Sequence, residues 1–168
     1  HLKGLTNEIL TLEKEITGHF KALSTRKISA MKIRIHGDYH LGQVLFTGND
    51  FVIIDFEGEL ARNLSERRLK RSPLRDVAGM IRSFHYATHA VLLNYTRTKS
   101  EDIPMLEPWI DLWYRYVAGI FLRSYLETAG SAPFIPKDRE GLDIMLRAYL
   151  LEKAVYEIGH EINTRPEW

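Results

Sequence analysis

The sequence has no cysteine, and its 168 residues carry a formal net charge of only +1. Without cysteine the protein has neither a disulfide framework nor a thiol nucleophile, in keeping with the reducing cytoplasm where we expect it. The small net charge gives no general attraction to nucleic acid or to an anionic membrane. No apolar run approaches the roughly 20 residues that a membrane span requires. We therefore expect neither a nucleic-acid partner nor a membrane partner.

The composition is typical of one globular domain, with 45% hydrophobic and 27% charged residues. Apolar residues recur at steps of three and four in several segments, which predicts helices. The predicted helices cover residues 5–23, 72–94, a segment around Trp109 that ends at Gly130, and 138–162. The second helix is expected to bury Val77, Ile81, Phe84 and Val91. The last helix is expected to bury Ile144, Ala148, Leu151, Val155, Ile158 and Ile162.

Two aspartates each follow a short apolar run. Asp38 comes after a strand-like run and a glycine, and Asp55 ends the run 51–54. Residues 44–46 and 51–54 are separated by the turn-forming residues 47–50, which predicts a β-hairpin. We therefore expect a mainly α fold that carries one small β-hairpin.

The hairpin should bring Asp38, Gln43 and Asp55 into one neighbourhood. Two carboxylates and an amide oxygen form an oxygen-rich site, which suits Mg²⁺ and a hydroxyl group that must lose its proton. Glu57 follows Asp55 closely enough in the sequence to serve as a further metal ligand. The pattern thus predicts metal-assisted chemistry at this hairpin.

This arrangement resembles the catalytic segment of the kinase superfamily, with an aspartate in a catalytic loop, an amide five residues on, and an apolar strand ending in Asp-Phe. The His-Gly-Asp form looks like the aminoglycoside phosphotransferase-like and choline kinase branch. A narrower resemblance is to the bacterial maltokinases, which are often fused to trehalose synthase and phosphorylate maltose at its anomeric hydroxyl with ATP. Four blocks carry this resemblance: residues 36–45, 54–59, 71–80 and 152–157.

The resemblance implies a role for each residue of the predicted site. Asp38 would orient the acceptor hydroxyl and take its proton, while Gln43 and Asp55 would hold Mg²⁺. His36 would pack behind the metal-binding aspartate, and Asp76 would hydrogen-bond the backbone of the catalytic loop. From the residues alone, Asp76 is also explained as a carboxylate in the first turn of a helix.

One side of the last predicted helix combines aromatic and charged residues. Helical spacing groups four of them: Lys153, Tyr156, Glu157 and His160. Such a face suits a sugar, although a helix packed on a neighbouring domain would show the same pattern. The maltokinase resemblance implies that this helix forms part of the maltose pocket, with a tyrosine more usual at the position of His160. His40 could contact the sugar or be buried in the core.

Residues 58–71 contain a cluster of cations: Arg62, Arg67, Arg68, Lys70 and Arg71. In a kinase this stretch borders the acceptor site, where cations could stabilise the charge of a transferred phosphate. A solvated loop would explain them equally well. The stretch has no interleaved aromatic residue, which argues against a nucleic-acid surface.

Two parts of a complete kinase are missing from the sequence. Neither a glycine-rich phosphate loop nor a strand with an ATP-pairing lysine precedes Asp38, and the residues before it are predicted mainly as helix. We therefore expect residues 1–168 to form a single kinase-like C-terminal lobe, with the ATP-covering N-terminal lobe absent from this chain. The isolated lobe should have little or no activity.

Two other functions stay open. Histidines flank Asp38 in residues 36–40 as in a metal-hydrolase loop, and His85 and His89 lie four apart on a predicted helix, a spacing that zinc would accept. A hydrolase leaves Gln43 unexplained, however. Alternatively, the chain could be a kinase-like module that binds a sugar or regulates a partner without catalysis.

Overall fold

The computed structural model describes residues 4, 7, 10–96 and 100–165. In chain order the elements are α1 (Glu13–Thr25), a 3₁₀ turn (Leu41–Gln43), β1 (Val44–Phe46), β2 (Phe51–Ile53), α2 (Leu64–Arg67), α3 (Leu74–Thr96), a 3₁₀ turn (Ser100–Asp102), α4 (Ile103–Ala129) and α5 (Arg139–Thr164). The prediction of a mainly helical fold with one hairpin is confirmed. The start of the first predicted helix, over residues 5–9, falls partly outside the described residues.

Helix α3 forms the centre of the molecule, with α4 and α5 packed against it and α1 packed on α5. Leu74, Val77 and Ile81 of α3 are almost fully buried, at 0%, 2% and 5% exposure. Ser72 and Pro73 precede this helix, and the Ser72 hydroxyl accepts a hydrogen bond from the backbone N–H of Leu74. This capping contact agrees with the start signal in the sequence.

The prediction of Val91 as a core residue was wrong: Val91 is 67% exposed, and its neighbour Leu92 is buried. An α-helix has 3.6 residues per turn, so eleven residues complete about three turns. Leu92 therefore lies above Ile81 on the core side, whereas Val91 is rotated away from it.

The prediction for α5 was right for Ala148 and wrong for Val155, Ile158 and Ile162, which are 43%, 37% and 51% exposed. In the first half of α5, Leu142, Leu146 and Tyr149 pack on the core, and they lie on the same side of the helix as the predicted sugar-binding residues Lys153 and Tyr156. In the second half of α5 the contacts with α3 are polar, between Arg82 and Glu157 and between Tyr86 and Glu161. Further along, the same side of the helix leaves the core and reaches the loop around Asp38.

The β-hairpin forms as predicted, with β1 and β2 antiparallel and Val44 opposite Ile53. Thr47 and Asp50 close its turn through a backbone hydrogen bond of 2.9 Å. The strand-like run before Asp38 does not join this hairpin; Ile33 instead pairs with Arg71 in an isolated antiparallel bridge. The bridge closes the segment that carries the loop around Asp38 and the hairpin.

Within the described part of the chain, no helix has the length and apolarity needed to cross a membrane.

Candidate active site

Asp76, in the first turn of α3, holds the backbone of the loop that contains Asp38. The backbone N–H of His36 donates to Oδ2 of Asp76 at 2.7 Å, and that of Gly37 donates to Oδ1 at 2.9 Å. Burial raises the pKa of the Asp76 carboxyl, and the two backbone hydrogen bonds act in the opposite direction. Gly37 has φ +87°, a conformation that glycine adopts without strain.

The buried His36 ring joins this loop to the end of the hairpin. Nδ1 accepts a hydrogen bond from the backbone N–H of Asp38 at 3.3 Å, so Nε2 carries the ring proton and donates to the carbonyl of Ile54 at 2.8 Å. The Phe56 ring packs beside it, with centroids 4.9 Å apart. One imidazole thus links the backbone of Asp38 to the residue that precedes Asp55.

Gln43 and Asp55 are in direct contact. The side-chain amide nitrogen of Gln43 donates to Oδ2 of Asp55 at 2.9 Å. The backbone N–H of Ile54 donates to the backbone carbonyl of Gln43 at 3.0 Å. Asp55 is the one non-glycine residue with positive φ, +63°, among the described residues. Such strained backbone is kept where the surroundings fix it, often at functional sites.

This pair offers a metal ion an amide oxygen and a carboxylate oxygen. Among the described residues no three His, Asp or Glu side chains converge as a complete metal-binding group, so the structure does not gather Asp38, Asp55 and Glu57 into one cluster. The exposed Glu57 contributes only its carbonyl to a described hydrogen bond, with Arg67. A donor set of one carboxylate and one amide fits Mg²⁺, which is usually held by one or two carboxylates together with water and substrate phosphates.

Helix α5 brings a lysine to the predicted catalytic aspartate. Lys153 Nζ lies 3.6 Å from Oδ1 of Asp38, and His40 Nε2 lies 3.8 Å from Oδ2. Lys153 also sits over the Tyr156 ring, 5.1 Å from its centroid. Asp38, His40, Lys153 and Tyr156, which were predicted from separate parts of the sequence, therefore lie together.

Two cavities meet at this group, and Asp38, Gly79, Lys153 and Tyr156 line both of them. The first has a volume of about 260 Å³ and is also lined by Glu59, Arg62, Arg75, Tyr149 and Glu152. The second has a volume of about 350 Å³ and is also lined by His40, Tyr86, Glu157, His160, Glu161 and Arg165. A small polar molecule bound in either cavity would contact Asp38.

An ion-pair network lines the first cavity. Arg62 lies 2.6 Å from Glu59 and 3.6 Å from Glu152, and Arg75 lies 2.9 Å from Glu152. Burial by itself would raise the pKa of the Glu59 carboxyl, but hydrogen bonds from Arg62 and Tyr156 bring it below its ordinary value. Glu59 therefore stays ionised, and Arg62 is occupied by two carboxylates rather than left available for a phosphate.

Sequence analysis assigned no role to Glu59, Arg75 or Glu152. All of them lie in the sequence blocks that carried the family resemblance, and membership of those blocks was the signal that could have identified them as site residues. Their contact could not be read from spacing, because it joins the loop after β2 to α3 and α5.

The second cavity contains the remaining residues predicted to bind substrate. Glu157 accepts two hydrogen bonds from Arg82, at 2.6 and 3.1 Å, and is thereby tied to α3. His160 is exposed and stacks on Tyr156, with centroids 6.4 Å apart. Beyond them, Glu161 contacts Tyr86 at 2.9 Å and Arg165 at 2.9 Å.

His85 and His89 do not form the zinc site considered from their spacing. Their rings stack at 4.2 Å, and His89 Nδ1 is 3.0 Å from the carbonyl of His85. Burial, with nearby Arg82 and His89, lowers the pKa of His85 to about 4. No third His, Asp or Glu completes a metal-binding group with them in the described residues.

Comparison with known proteins finds glucosamine kinases. The chain is 30% identical over 78 residues to the glucosamine kinase of Streptacidiphilus jiangxiensis, and the aligned segment covers 46% of this chain and 17% of the relative. It is 33% identical over 138 residues to the glucosamine kinase of Mycolicibacterium smegmatis, and the aligned segment covers 79% of this chain and 31% of the relative. The chain thus spans less than a third of either curated relative. No family model matches.

Solved glucosamine kinase structures have the same fold. Crystal form B superposes with a TM-score of 0.77 at 22% identity, over 96% of this chain and 37% of the other. The complex with glucosamine, ADP and inorganic phosphate superposes with a TM-score of 0.77 at 20% identity, over 96% and 36%. The maltokinase resemblance stays a prediction, since these relatives are named as glucosamine kinases. The chain has the fold of somewhat more than one third of a glucosamine kinase chain.

Proposed function

We propose that this chain is the acceptor-binding and magnesium-binding part of an ATP-dependent sugar kinase. The observation that carries the proposal is the pair of loops joined by His36, one presenting Asp38 and the other presenting Asp55 in contact with Gln43. Phosphoryl transfer requires these components: a group that orients the acceptor and oxygen ligands for the metal on the phosphates.

In the proposed reaction, a sugar hydroxyl in the cavity hydrogen-bonds to the Asp38 carboxylate. Its oxygen attacks the terminal phosphorus of ATP, the hydroxyl proton passes to Asp38, and the bond to ADP breaks. Asp38 is the catalytic residue, and Lys153, 3.6 Å away, helps to hold its carboxylate in place. Mg²⁺ held by Gln43 and Asp55 would supply charge neutralisation at the phosphates.

We place the ATP-covering N-terminal lobe outside this chain. The 168-residue chain contains no glycine-rich phosphate loop before Asp38. It spans 36–37% of the glucosamine kinase chains whose fold it shares. A fused trehalose synthase domain, suggested by the maltokinase resemblance, is a further partner of the same proposal. On its own, the 168-residue chain should transfer little or no phosphate.

For the acceptor, we favour a neutral sugar, maltose phosphorylated at its anomeric hydroxyl to maltose 1-phosphate. The sequence blocks support maltose, whereas the names of the relatives support glucosamine, whose amino group is a cation at neutral pH. The carboxylates that line the two cavities already have partners in the structure. The pairs are Asp38 with Lys153, Glu59 with Arg62, Glu152 with Arg75, Glu157 with Arg82, and Glu161 with Arg165. Asp76 is held by backbone N–H groups.

An ammonium group on the sugar would therefore have to displace or share an existing cation. It would also meet Lys153 beside the acceptor position, and like charges at short range are unfavourable in a partly buried site. A neutral sugar needs only hydrogen bonds and the faces of aromatic rings such as Tyr156.

The test is to measure ATP- and Mg²⁺-dependent phosphorylation of maltose, glucose and glucosamine by the protein that includes the N-terminal lobe. We expect the highest kcat/KM for maltose, with Asp38→Asn slower by about 10²–10⁴-fold and still folded. The control is Asp143→Asn, an exposed carboxylate near the start of α5 that pairs with Arg147 and lines neither cavity, which should keep the full rate.

Each result has a distinct meaning. A higher kcat/KM for glucosamine would overturn the neutral-sugar assignment while leaving the kinase intact. Binding of a sugar without any turnover would support the alternative non-catalytic module. Hydrolysis of a substrate in the absence of nucleotide would favour the hydrolase.

A further inference from the structure

Helix α4 carries a row of large apolar side chains that face solvent. We call this row the α4 stripe; its members are Met105, Trp109, Leu112, Trp113, Tyr116 and Ile120, each 48–69% exposed. At 100° per residue, all six fall within an arc of about 100°. The opposite side of α4 packs on the core through Tyr114, Phe121 and Tyr125. The helix thus has two apolar sides, and the described residues cover only one.

A contiguous exposed apolar surface of this kind marks an interaction site. We propose that the α4 stripe binds the α4 stripe of a second copy of this chain, with the two helices antiparallel around a two-fold axis. The proposal is independent of the sugar kinase activity.

The order of side chains along the stripe is self-complementary in one antiparallel register. In that register Met105 faces Ile120, Trp109 faces Tyr116, and Leu112 faces Trp113 of the other copy, and two-fold symmetry repeats each pair. Every large side chain of the stripe then has an apolar partner. The pairing centre falls between residues 112 and 113.

Charge at the ends of the stripe selects the antiparallel orientation. No charged residue belongs to the stripe itself, but Glu101 precedes it in the acidic 3₁₀ turn, and Arg123 follows it on the same side of the helix. In the proposed register Glu101 of one copy lies beside Arg123 of the other. A parallel pair would instead place glutamate beside glutamate and arginine beside arginine, which is unfavourable.

Arg123 also bonds Glu127 of its own chain at 2.7 Å, and both side chains are highly exposed, at 79% and 62%. An exposed pair of this kind contributes little to stability. Arg123 can therefore turn to an acidic group of a second copy at small cost.

Cysteine cross-linking provides a direct test, because the natural chain has no cysteine. The variant carries Met105→Cys together with Ile120→Cys. Fifteen residues of helix separate the two positions by about 22 Å, too far for a disulfide within one chain. In the proposed register each cysteine faces its counterpart, so mild oxidation should give covalent dimers in high yield.

Two control variants show whether the cross-linking is specific. Val52→Cys lies on the exposed β-hairpin, and Arg147→Cys lies on the exposed side of α5. Both should remain largely monomeric under the same oxidation. Cross-linking of the Val52→Cys control to the same extent as the α4 variant, or monomers in all variants, would overturn the proposal.

Charge exchange tests the register without cross-linking. Arg123→Glu should raise the dimer Kd by about tenfold, because symmetry repeats the repulsion with Glu101 at both ends. Adding Glu101→Arg should restore association. Arg147→Glu is the matched control, since Arg147 forms the same kind of exposed pair, with Asp143 at 2.8 Å, and it should leave the Kd unchanged. Sedimentation equilibrium measures all four proteins, and equal Kd values would contradict the register.

Discussion

The side-chain amide of Gln43 donates to Oδ2 of Asp55 at 2.9 Å, so the residue before β1 fixes the carboxylate after β2. Among the described residues no hydrogen bond reaches the side-chain oxygen of Gln43 or Oδ1 of Asp55, so both oxygens would be available to the proposed metal ion. The hairpin register sets this contact, since it places Val44 opposite Ile53.

We expect Asp55→Asn to weaken Mn²⁺ or Mg²⁺ binding and to slow phosphate transfer by at least about 100-fold, because it removes the charged ligand. Asparagine tolerates positive φ, so the fold should persist. Calorimetric titration with the metal measures the binding, and circular dichroism measures the fold. Asp50→Asn, in the hairpin turn, is the control. Unchanged metal affinity in Asp55→Asn would remove this residue from the metal site.

Gly79 allows α3 to approach the loop around Asp38 closely. A Cβ at this position would lie 2.7 Å from the backbone carbonyl oxygen of Tyr39, which is far inside van der Waals contact. Gly79→Ala should therefore displace residues 38–40 and reduce kcat, even though alanine is the better helix former.

The control for this change is Gly159→Ala on α5, where an added Cβ meets nothing within 4 Å. That variant should gain about 0.5–1 kcal/mol of stability. Thermal unfolding and kcat, measured on both variants, separate the effects. A Gly79→Ala protein with normal kcat and raised Tm would show that the close approach has no functional consequence.

Asp76 should affect stability in a pH-dependent way. Its pKa is raised above the ordinary value of 3.8 by burial, so the folded state takes up its proton more readily than the unfolded state. Its favourable contribution is therefore complete below pH 3.8 and declines as the pH rises through the raised value.

Asp76→Asn removes that titration. It also replaces one of the two side-chain oxygens that accept from the backbone N–H groups of His36 and Gly37, which should lower the free energy of unfolding by about 1–3 kcal/mol. The difference in unfolding free energy between the natural protein and this variant should be largest at low pH and smaller once Asp76 ionises. Urea unfolding at several pH values measures it. A difference that does not change with pH would mean that the Asp76 pKa is not raised.

His85 should make the protein less stable as the pH falls. Its pKa is lowered from 6.5 to about 4 by burial and by Arg82 and His89, so between these values the unfolded state binds the proton and the folded state does not. Stability is then lost as the pH drops from 6.5 towards 4. His85→Gln should flatten the pH dependence of Tm in this range, whereas His19→Gln, on the exposed side of α1, should not. Parallel curves for both variants would contradict the prediction.

The fold was largely predictable because its signals are local. Helical spacing marked α3, α4 and α5, Gly130 with φ +50° ended α4, and the turn residues Thr47–Asp50 identified the hairpin. Which helix side is buried was less predictable, since it depends on neighbours. Tyr149 and Tyr156 lie on one side of α5 and both line the first cavity, yet Tyr149 also packs on the core whereas Tyr156 is 42% exposed.

The candidate site was predictable where one short segment builds it. The hairpin predicted that Gln43 and Asp55 would meet, as they do, whereas the roles of Asp38, Gln43 and Asp55 came from the family resemblance and stay predictions. The contact of Glu59 with Tyr156 could not be predicted, because it depends on how α5 crosses the loop after β2. Their hydrogen bonds occur only in the folded chain.

The bridge between Ile33 and Arg71 closes the loop that carries Asp38, Gln43 and Asp55. Its two backbone hydrogen bonds, both 2.9 Å, fasten the two ends of that loop to each other. If the whole loop opens as one cooperative unit, the amides of Ile33 and Arg71 exchange with deuterium in proportion to the population of the open state. Two exchange rates would then report the free energy needed to detach the entire loop from the helices beneath it.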